Sequence, residues 1–430
     1  MKNKFIKSTI ILMCGGAITK LLGMVIRITL TRLLKDGIFL YSLIMPTFSL
    51  FITIAQFGLP NTISKLVAEE KRNNKNLVFS IIPISLMINF TIMLIILLIS
   101  KFLSVNLLHD SRTYYPIICI SFVLPFISIS SILRGYFFGK QRMVPHIVSN
   151  IVEDIVRLII IIIGIPICLK YGLIVSVSFV ILSNIFSELT SILVLFIFLP
   201  KKFRIHKSDF KINKEYIRDT FSLSIPTTSA RIIGNIGYFL EPIILTFMLL
   251  KTGYTNDYII KEYGTITSYI LPMLLLPSFF TNAISSALIP VISTYYVNNK
   301  YKLIKKRIVE AISISMILCI PIILFLFFFP ELPLKLIYDT NLGINYLKIL
   351  APIFIFSYIQ SPIASSIQAM GYAKCSMYGT IIGVITRVIG LIIFSLFNIG
   401  IYALIYSLSL SIIVVTMYDI YKLNKILKRG

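Results

Sequence analysis

The chain has 430 residues, of which 57% are hydrophobic and only 13% are charged, and its formal net charge is +24. A soluble domain usually carries about 25% charged residues, so this composition excludes an ordinary soluble enzyme or binding domain. Apolar runs recur along the whole chain, which predicts an all-α polytopic membrane protein; a β-barrel would show short alternating segments instead. The basic residues lie on short loops between these runs, so nucleic acid is not an expected partner.

Twelve apolar segments of membrane-spanning length follow one another between charged or Pro- and Gly-containing turns. The first six are predicted near residues 8–30, 38–59, 77–99, 113–133, 146–169 and 172–199. The second six are predicted near residues 219–250, 265–294, 308–330, 346–370, 376–397 and 400–420. Proline interrupts many of the segments, including Pro272 and Pro277 in the eighth, and this favours kinked helices.

Lys and Arg residues are distributed unevenly over the loops. The two termini and every second loop carry roughly three times as many of them as the opposite loops, as expected of cytoplasmic segments. The longest basic run is "KKFRIHKSDFKINKEYIR" at 201–218. The sequence therefore predicts a multi-pass protein of a bacterial plasma membrane, surrounded by membrane lipids, with both termini in the cytoplasm.

The same basic run separates two predicted halves of six helices each. The predicted boundaries are an N-terminal half at 1–200, a cytoplasmic connector at 201–215 and a C-terminal half at 216–430. Because six is an even number, both halves start on the same side of the membrane, which makes them parallel repeats. Proteins built from such repeats typically bind substrate between the halves and alternate access by rocking one half against the other.

Sequence similarity between the two halves supports this division. "FIKSTIILMCGGAITKLLG" (5–23) aligns without gaps with "YIRDTFSLSIPTTSARIIG" (216–234), and Lys20 then aligns with Arg231. A weaker echo links "SSILRGYFFGK" in the fourth helix with "SSIQAMGYAK" in the tenth. Apolar agreement means little between membrane helices, but aligned basic residues are more specific.

Four cations inside the spans are the candidate substrate-binding residues. They are Lys20, Arg27, Arg231 and Arg387. In the first helix Gly16, Lys20, Gly23 and Arg27 recur at intervals of one helical turn and form one stripe. A charge facing lipid costs about 2.5–3.5 kcal/mol, so the stripe is expected to face the bundle interior or a water-filled cavity. Snorkelling of Lys20 and Arg27 to the headgroups is the alternative.

Carboxylates within the spans are fewer. Glu241 and Glu188 are candidate coupling or pairing acids, whereas Glu153 and Arg157 stand four residues apart and predict a structural ion pair. Neither Glu188 nor Arg387 has a charged partner along its own helix. A surplus of buried cations predicts an anionic guest such as a diphosphate or sugar-diphosphate, because Arg binds phosphate oxygens bidentately.

The residue pattern predicts no catalytic residue, metal site or cofactor. The five cysteines are widely spaced with no CxxC pair, and the three histidines show no HExxH pattern. Coupling of transport to membrane potential, H⁺ or Na⁺ stays open at this point, and the sequence specifies no oligomeric state.

Three stretches resemble one known family. They are "LRGYFFGKQRMVPHIVSNIVEDIVRL" (133–158), "LYSLIMPTFSLFITIAQFGLPNTISKLVAEE" (40–70) and "TKLLGMVIR" (19–27). They resemble the stage V sporulation protein B group and its polysaccharide-export relatives, within the multidrug/oligosaccharidyl-lipid/polysaccharide (MOP) flippase superfamily, to which the MATE transporters also belong. The resemblance implies two six-helix halves and the flipping of an undecaprenyl-diphosphate-linked saccharide, such as a peptidoglycan precursor. Many members of the group have fourteen helices, two more than predicted here.

The resemblance also bears on particular residues. Basic residues of the first helix line the cavity in the related lipid II flippases, which implies that role for Lys20 and Arg27; Arg231 follows only through the internal repeat. Arg134 matches the LRGYF element near the cytoplasmic end of its helix, which makes it a candidate gate or structural residue.

Two other functions compete with a lipid-linked saccharide flippase. A cation-coupled multidrug antiporter of the same superfamily would use Glu188 and Glu241 to exchange protons or sodium. A membrane-embedded transferase would need an exposed catalytic constellation, such as DxD or a conspicuous His, and no loop offers one. The sequence therefore favours a transporter over an enzyme.

Overall fold

The computed structural model of the chain describes residues 2–69, 74–200 and 214–428, and these residues are helical with no strand among them. The first helices are α1 (Lys2–Leu34), α2 (Gly37–Gln56), α3 (Leu59–Ala68), α4 (Asn74–Lys101), α5 (Tyr114–Gly139), α6 (Met143–Leu169) and α7 (Leu173–Ile197). The later helices are α8 (Lys214–Lys251), α9 (Asn256–Thr265), α10 (Leu271–Leu275), α11 (Ser278–Val297), α12 (Tyr301–Phe328), α13 (Glu331–Tyr338), α14 (Ile344–Ala369), α15 (Ala373–Ser395) and α16 (Tyr402–Leu427). Most of the predicted connector at 201–215 lies outside the described residues.

The membrane spans agree with the prediction of an all-α polytopic fold. Within the described ranges nine helical segments are long and apolar enough to cross a membrane, and α9 to α11 make a tenth if they count as one bent span. The bend, of 49°, lies between Leu275 and Ser278, where Pro277 interrupts the helix as predicted. α1 and α6 are not among these ten segments, and both carry charged residues. They match predicted spans, and with them about twelve helices cross the membrane.

The second predicted span continues beyond its expected end at residue 59. Phe57 and Gly58 both adopt positive φ angles, of 42° and 65°, and these end α2. Pro60 then occupies the first turn of α3, where its missing N–H costs nothing. The "FGLP" sequence therefore turns the chain between two helices, and α3 extends as far as Ala68.

α3 packs closely against α5 because α5 presents two glycines one turn apart. A Cβ atom on Gly135 would lie 2.8 Å from the Pro60 carbonyl oxygen, and one on Gly139 would lie 2.6 Å from the Ser64 carbonyl oxygen. Glycines four residues apart allow two membrane helices to approach backbone to backbone. The two longest stretches of the family resemblance, "GLP…SKLVAE" and "LRGYFFG", therefore pack on each other.

This contact predicts that Gly139→Ala destabilises the fold. The added methyl overlaps the α3 backbone, and overpacking of this kind costs about 1–3 kcal/mol. The matched control is Gly16→Ala on α1, where no heavy atom lies within 4 Å of the place that the added methyl would take. Thermal unfolding of the purified variants in detergent measures both effects, and equal unfolding temperatures for the two variants would contradict the close packing of α3 on α5.

The chain divides into two compact units, Met1–Asn235 and Ile236–Gly430. In the first unit α5 is the central helix and packs against α2, α3, α4 and α7. In the second unit α14 is central and packs against α11, α12, α15 and α16. In the predicted six-helix repeat, α5 and α14 are corresponding spans, and they carry the weaker sequence similarity. The unit boundary lies inside α8, between Asn235 and Ile236, so the first part of this helix belongs to the first unit.

Candidate functional site

α1 carries two open faces of opposite character. Ile18, Leu21 and Val25 are exposed by 46%, 61% and 45%, and they form an apolar face suited to lipid. The stripe that contains Lys20 and Arg27 lies about 160° away around the helix. Lys20 is exposed and Arg27 is half-buried. α1 therefore presents a polar face on the side away from its lipid-facing surface.

The side of α1 between these two faces packs against α6. A Cβ atom on Gly15 would lie 2.4–2.7 Å from three side-chain carbons of Ile147 in α6, and Ile26 and Leu30 are buried. The stripe glycines differ, because no heavy atom lies within 4 Å of a Cβ placed on Gly16 or Gly23. Space along the stripe is consequently open to a guest.

Lys20 lies near the middle of its apolar stretch. With a rise of 1.5 Å per residue it is about 18 Å from one end and about 15 Å from the other end of the span predicted at 8–30. Both distances exceed the reach of an extended lysine side chain, so a position in a polar cavity accounts for Lys20 better than snorkelling does.

Arg27 of α1 and Arg157 of α6 both act electrostatically on one residue of the first unit. Tyr41 of α2 is within electrostatic range of both Arg27 and Arg157 of α6. Positive charge from α1 and α6 thus converges near one tyrosine. Sequence patterns along single helices did not reveal Tyr41, because its role depends on the packing of α2 beside α1 and α7.

Arg231 lies on the part of α8 that belongs to the first unit. Asn235, one turn later, accepts a hydrogen bond from the Ser49 hydroxyl at 2.7 Å and donates one to the Thr53 hydroxyl at 2.9 Å. These bonds fix this part of α8 to α2. Arg231 itself is exposed. Three of the four predicted cavity cations are therefore in one unit, on two of its helices.

The fourth candidate, Arg387, is held by an acid. Its guanidinium forms an ion pair with the carboxylate of Glu241, and the side chains are 26% and 1% exposed respectively. α8 and α15 are close here, since a Cβ atom on Gly237 would lie 2.6 Å from Val384. The sequence of α15 contains no acid that could pair with Arg387, and it did not predict this ion pair because the partner lies on another helix. Arg387 is thus half-buried and paired with a buried acid within the second unit.

The predicted Glu153–Arg157 pair is present and forms part of a larger cluster. Arg157 Nη2 donates to Glu153 Oε1 at 2.8 Å, and Arg134 Nη2 donates to Glu153 Oε2 at 2.5 Å. Arg134 Nη2 also lies 3.6 Å from Glu188 Oε2 and donates to the Ser191 hydroxyl at 2.9 Å. We call Arg134, Glu153, Asp154, Arg157 and Glu188 the α5–α7 charge cluster, and Arg134 is a half-buried member of it.

Several polar side chains that form hydrogen bonds with the buried charges were not predicted from the sequence. Ser187 and Ser191 flank Glu188 on α7, and the Ser187 hydroxyl accepts a hydrogen bond from Arg157 Nη2 at 3.2 Å. The run "SELTS" within an apolar helix was the available signal. Asp419 of α16 was also missed; it is 2% exposed and accepts a hydrogen bond from Gln360 of α14 at 3.3 Å. Over the described part of the chain no group of three His, Cys, Asp or Glu side chains is arranged to hold a metal ion.

Comparison with protein families gives two matches. Residues 5–296 match the model of the polysaccharide biosynthesis proteins, and residues 263–393 match the MatE model. The first match covers more than half of the chain and includes all of the first unit except its first few residues.

Individual relatives agree with these models. The chain is 33% identical over 397 residues to stage V sporulation protein B of Bacillus subtilis (strain 168), covering 90% of this chain and 77% of the relative. It is 23% identical over 426 residues to the lipid II flippase MurJ of the same organism, with coverage of 90% and 77%. A solved structure of a multidrug resistance MATE family transporter of the MOP superfamily, in an inward-facing conformation, superposes with a TM-score of 0.77 at 14% identity, covering 96% and 95% of the two chains. At that identity the last match establishes the fold alone.

Proposed function

The chain belongs to the polysaccharide biosynthesis protein family, a family of membrane transporters and flippases of the MOP superfamily rather than of enzymes, and from that premise we propose a substrate. We propose that it flips an undecaprenyl-diphosphate-linked saccharide, such as a peptidoglycan or polysaccharide precursor, from the cytoplasmic to the outer leaflet by alternating access. Both termini would then lie in the cytoplasm, as the loop charges predict.

The observation that carries this proposal is the polar face of α1. Lys20 is exposed there between two glycines with open space, and the apolar lipid-facing surface lies on the other side of the helix. No ion pair to Lys20 or Arg231 occurs among the described residues, so both charges are available to an anion. A diphosphate headgroup supplies that anion, and the polyprenyl tail stays in the lipid.

The chemistry of the acids speaks against a cationic drug as substrate. Glu241 is 1% exposed and Glu188 is 7% exposed, and each lies beside an arginine. A drug antiporter needs carboxylates that a cationic drug can reach. The likeness to a MATE transporter keeps that function as the alternative outcome of the experiment below.

The experiment is a flipping assay with the full chain in proteoliposomes. The probe is a fluorescent undecaprenyl-diphosphate-linked saccharide, and the control probe has the same lipid and sugar joined by one phosphate. We expect protein-dependent flipping that is faster for the diphosphate, because one more phosphate contacts the cations of the stripe. Equal rates for both probes, or drug resistance conferred on a pump-deficient host without flipping, would contradict the proposal.

A further inference from the structure

The second unit carries a polar surface without charged side chains. Uncharged polar residues occupy about one turn on the open side of α11 and about one turn on the open side of α14. We call Asn282, Ser286, Ser357, Gln360 and Ser361 the amide–hydroxyl face. The two residues of α11 are exposed and the three of α14 are half-buried. None of the five lies on a helix that carries one of the candidate binding cations.

Hydrogen bonds hold α11 and α14 side by side. The Ser285 and Ser361 hydroxyls lie 3.0 Å apart, and the Ser293 hydroxyl donates to the Ala369 carbonyl oxygen at 2.9 Å. Both contacts join residues that are 76 apart, so the two helices run in the same direction and stay in register. The Ser361 hydroxyl also contacts Asn282 Oδ1, at 3.1 Å. The polar groups of the two helices therefore form one surface at one level along them.

This surface is not suited to lipid. An amide side chain that contacts hydrocarbon loses its hydrogen bonds to water, which is costly. The exposed side of α12 in the same unit is apolar instead, since Ile314, Ile317 and Phe328 are exposed by 50%, 71% and 65%. The amide–hydroxyl face consequently meets water or a polar ligand.

The face keeps hydrogen-bonding groups free for a ligand. Asn282 accepts through Oδ1, and its amide N–H groups donate to no described residue. Gln360 Nε2 donates to Asp419 Oδ2 at 3.3 Å, so the Gln360 carbonyl oxygen is an acceptor without a donor in the described chain. The Ser357 hydroxyl has no hydrogen-bond partner among the described residues either. Donors and acceptors are thus both available on this surface.

The available groups match the chemistry of a saccharide. Sugar hydroxyls both donate and accept hydrogen bonds, and an acetamido group adds one N–H and one carbonyl. An anion would instead need cationic partners, which this face does not contain. Phe356 is 38% exposed one turn before Gln360 and offers an apolar surface to the C–H groups of a sugar ring. A few polar groups beside an aromatic side chain are usual in small-molecule sites.

We propose that the amide–hydroxyl face binds the saccharide of the transported lipid, whereas the α1 stripe binds its diphosphate. The inference rests on the proposed function and adds the residues that select the sugar. Because the face has no charged side chain, it discriminates by the positions of hydroxyl and acetamido groups and suits an uncharged saccharide. Selectivity for the sugar is then a property of the second unit, and affinity for the diphosphate is a property of the first.

The test compares the binding of two probes to the full chain in detergent. One probe is farnesyl-diphosphate-linked N-acetylglucosamine, and the other is farnesyl diphosphate, which has no sugar. Asn282→Leu/Ser357→Ala should weaken binding of the sugar-linked probe by about fivefold or more, because two hydrogen bonds are lost, and should leave binding of farnesyl diphosphate unchanged. The matched control, Thr91→Ala/Asn424→Leu, changes exposed polar residues of α4 and α16 and should bind both probes normally.

The outcomes separate the two proposals. Failure of the unaltered protein to bind either probe would count against the flippase function itself. Equal weakening for both probes, or no change for the sugar-linked probe, would overturn the role of the face and leave the flippase function standing. Folding should survive Asn282→Leu because Ser361 keeps its contact with Ser285. Should the double variant still fail to fold, Ser357→Ala alone decides, with an expected loss of about twofold or more for the sugar-linked probe only.

Discussion

Replacing Lys20 and Arg27 together by alanine should abolish flipping of the diphosphate-linked probe while the protein still folds. Hydrogen bonds to charged groups contribute about 1.5–3 kcal/mol each, so loss of two such contacts weakens headgroup binding by about 10²- to 10⁴-fold. Folding should survive because Lys20 is exposed, Arg27 is only half-buried, and no heavy atom lies within 4 Å of a Cβ placed on Gly16 or Gly23. The proteoliposome assay measures flipping, and size-exclusion elution in detergent reports folding.

The matched control removes the same residue types elsewhere. Lys170 lies in the turn between α6 and α7, and Arg307 lies near the start of α12 in an exposed ion pair. The double variant Lys170→Ala/Arg307→Ala loses two positive charges and should flip normally. A charge-conserving exchange, Lys20→Arg with Arg27→Lys, should keep part of the activity. Full activity of Lys20→Ala/Arg27→Ala would mean that the headgroup does not use this face of α1.

The polar stripe of α1 was predictable because it depends on one helix alone. The helical period places residues three and four apart on one side, so the spacing of Lys20 and Arg27 was sufficient evidence. The two repeats stay a prediction, which rests on the same kind of evidence, since segments with the same residue pattern are expected to fold in the same way. The structure also shows an apolar exposed face opposite the stripe. Identifying that face requires knowing which side of α1 packs against α6.

The partners of the buried charges were not predictable in the same way. Glu241 and Arg387 are remote in the sequence, and only the packing of α8 on α15 brings them together. Arg134 looked like a residue of a helix end, yet its side chain reaches Glu153 and Glu188 on two other helices. Contacts between helices depend on how their surfaces fit, and no pattern along a single helix encodes that.

Breaking the Glu241–Arg387 pair should destabilise the second unit, and the two single variants should differ. Arg387→Met leaves Glu241, which is 1% exposed, as an uncompensated buried carboxylate, and removal of one partner of a buried pair costs about 3–5 kcal/mol. Glu241→Gln leaves Arg387, which is 26% exposed and can keep some contact with water, so its cost should be smaller. Thermal unfolding in detergent gives the order of the variants.

The double variant tests whether the pair is structural. Glu241→Gln/Arg387→Met removes both charges, so it should recover most of the stability that Arg387→Met loses, because no uncompensated charge is left buried. The control is Arg307→Met at the exposed pair with Glu310, where screening by water limits the loss to at most about 1 kcal/mol. If Arg387→Met instead unfolds like the unaltered protein but stops flipping, the pair acts in transport, as the binding role predicted for Arg387 from its position inside a span requires.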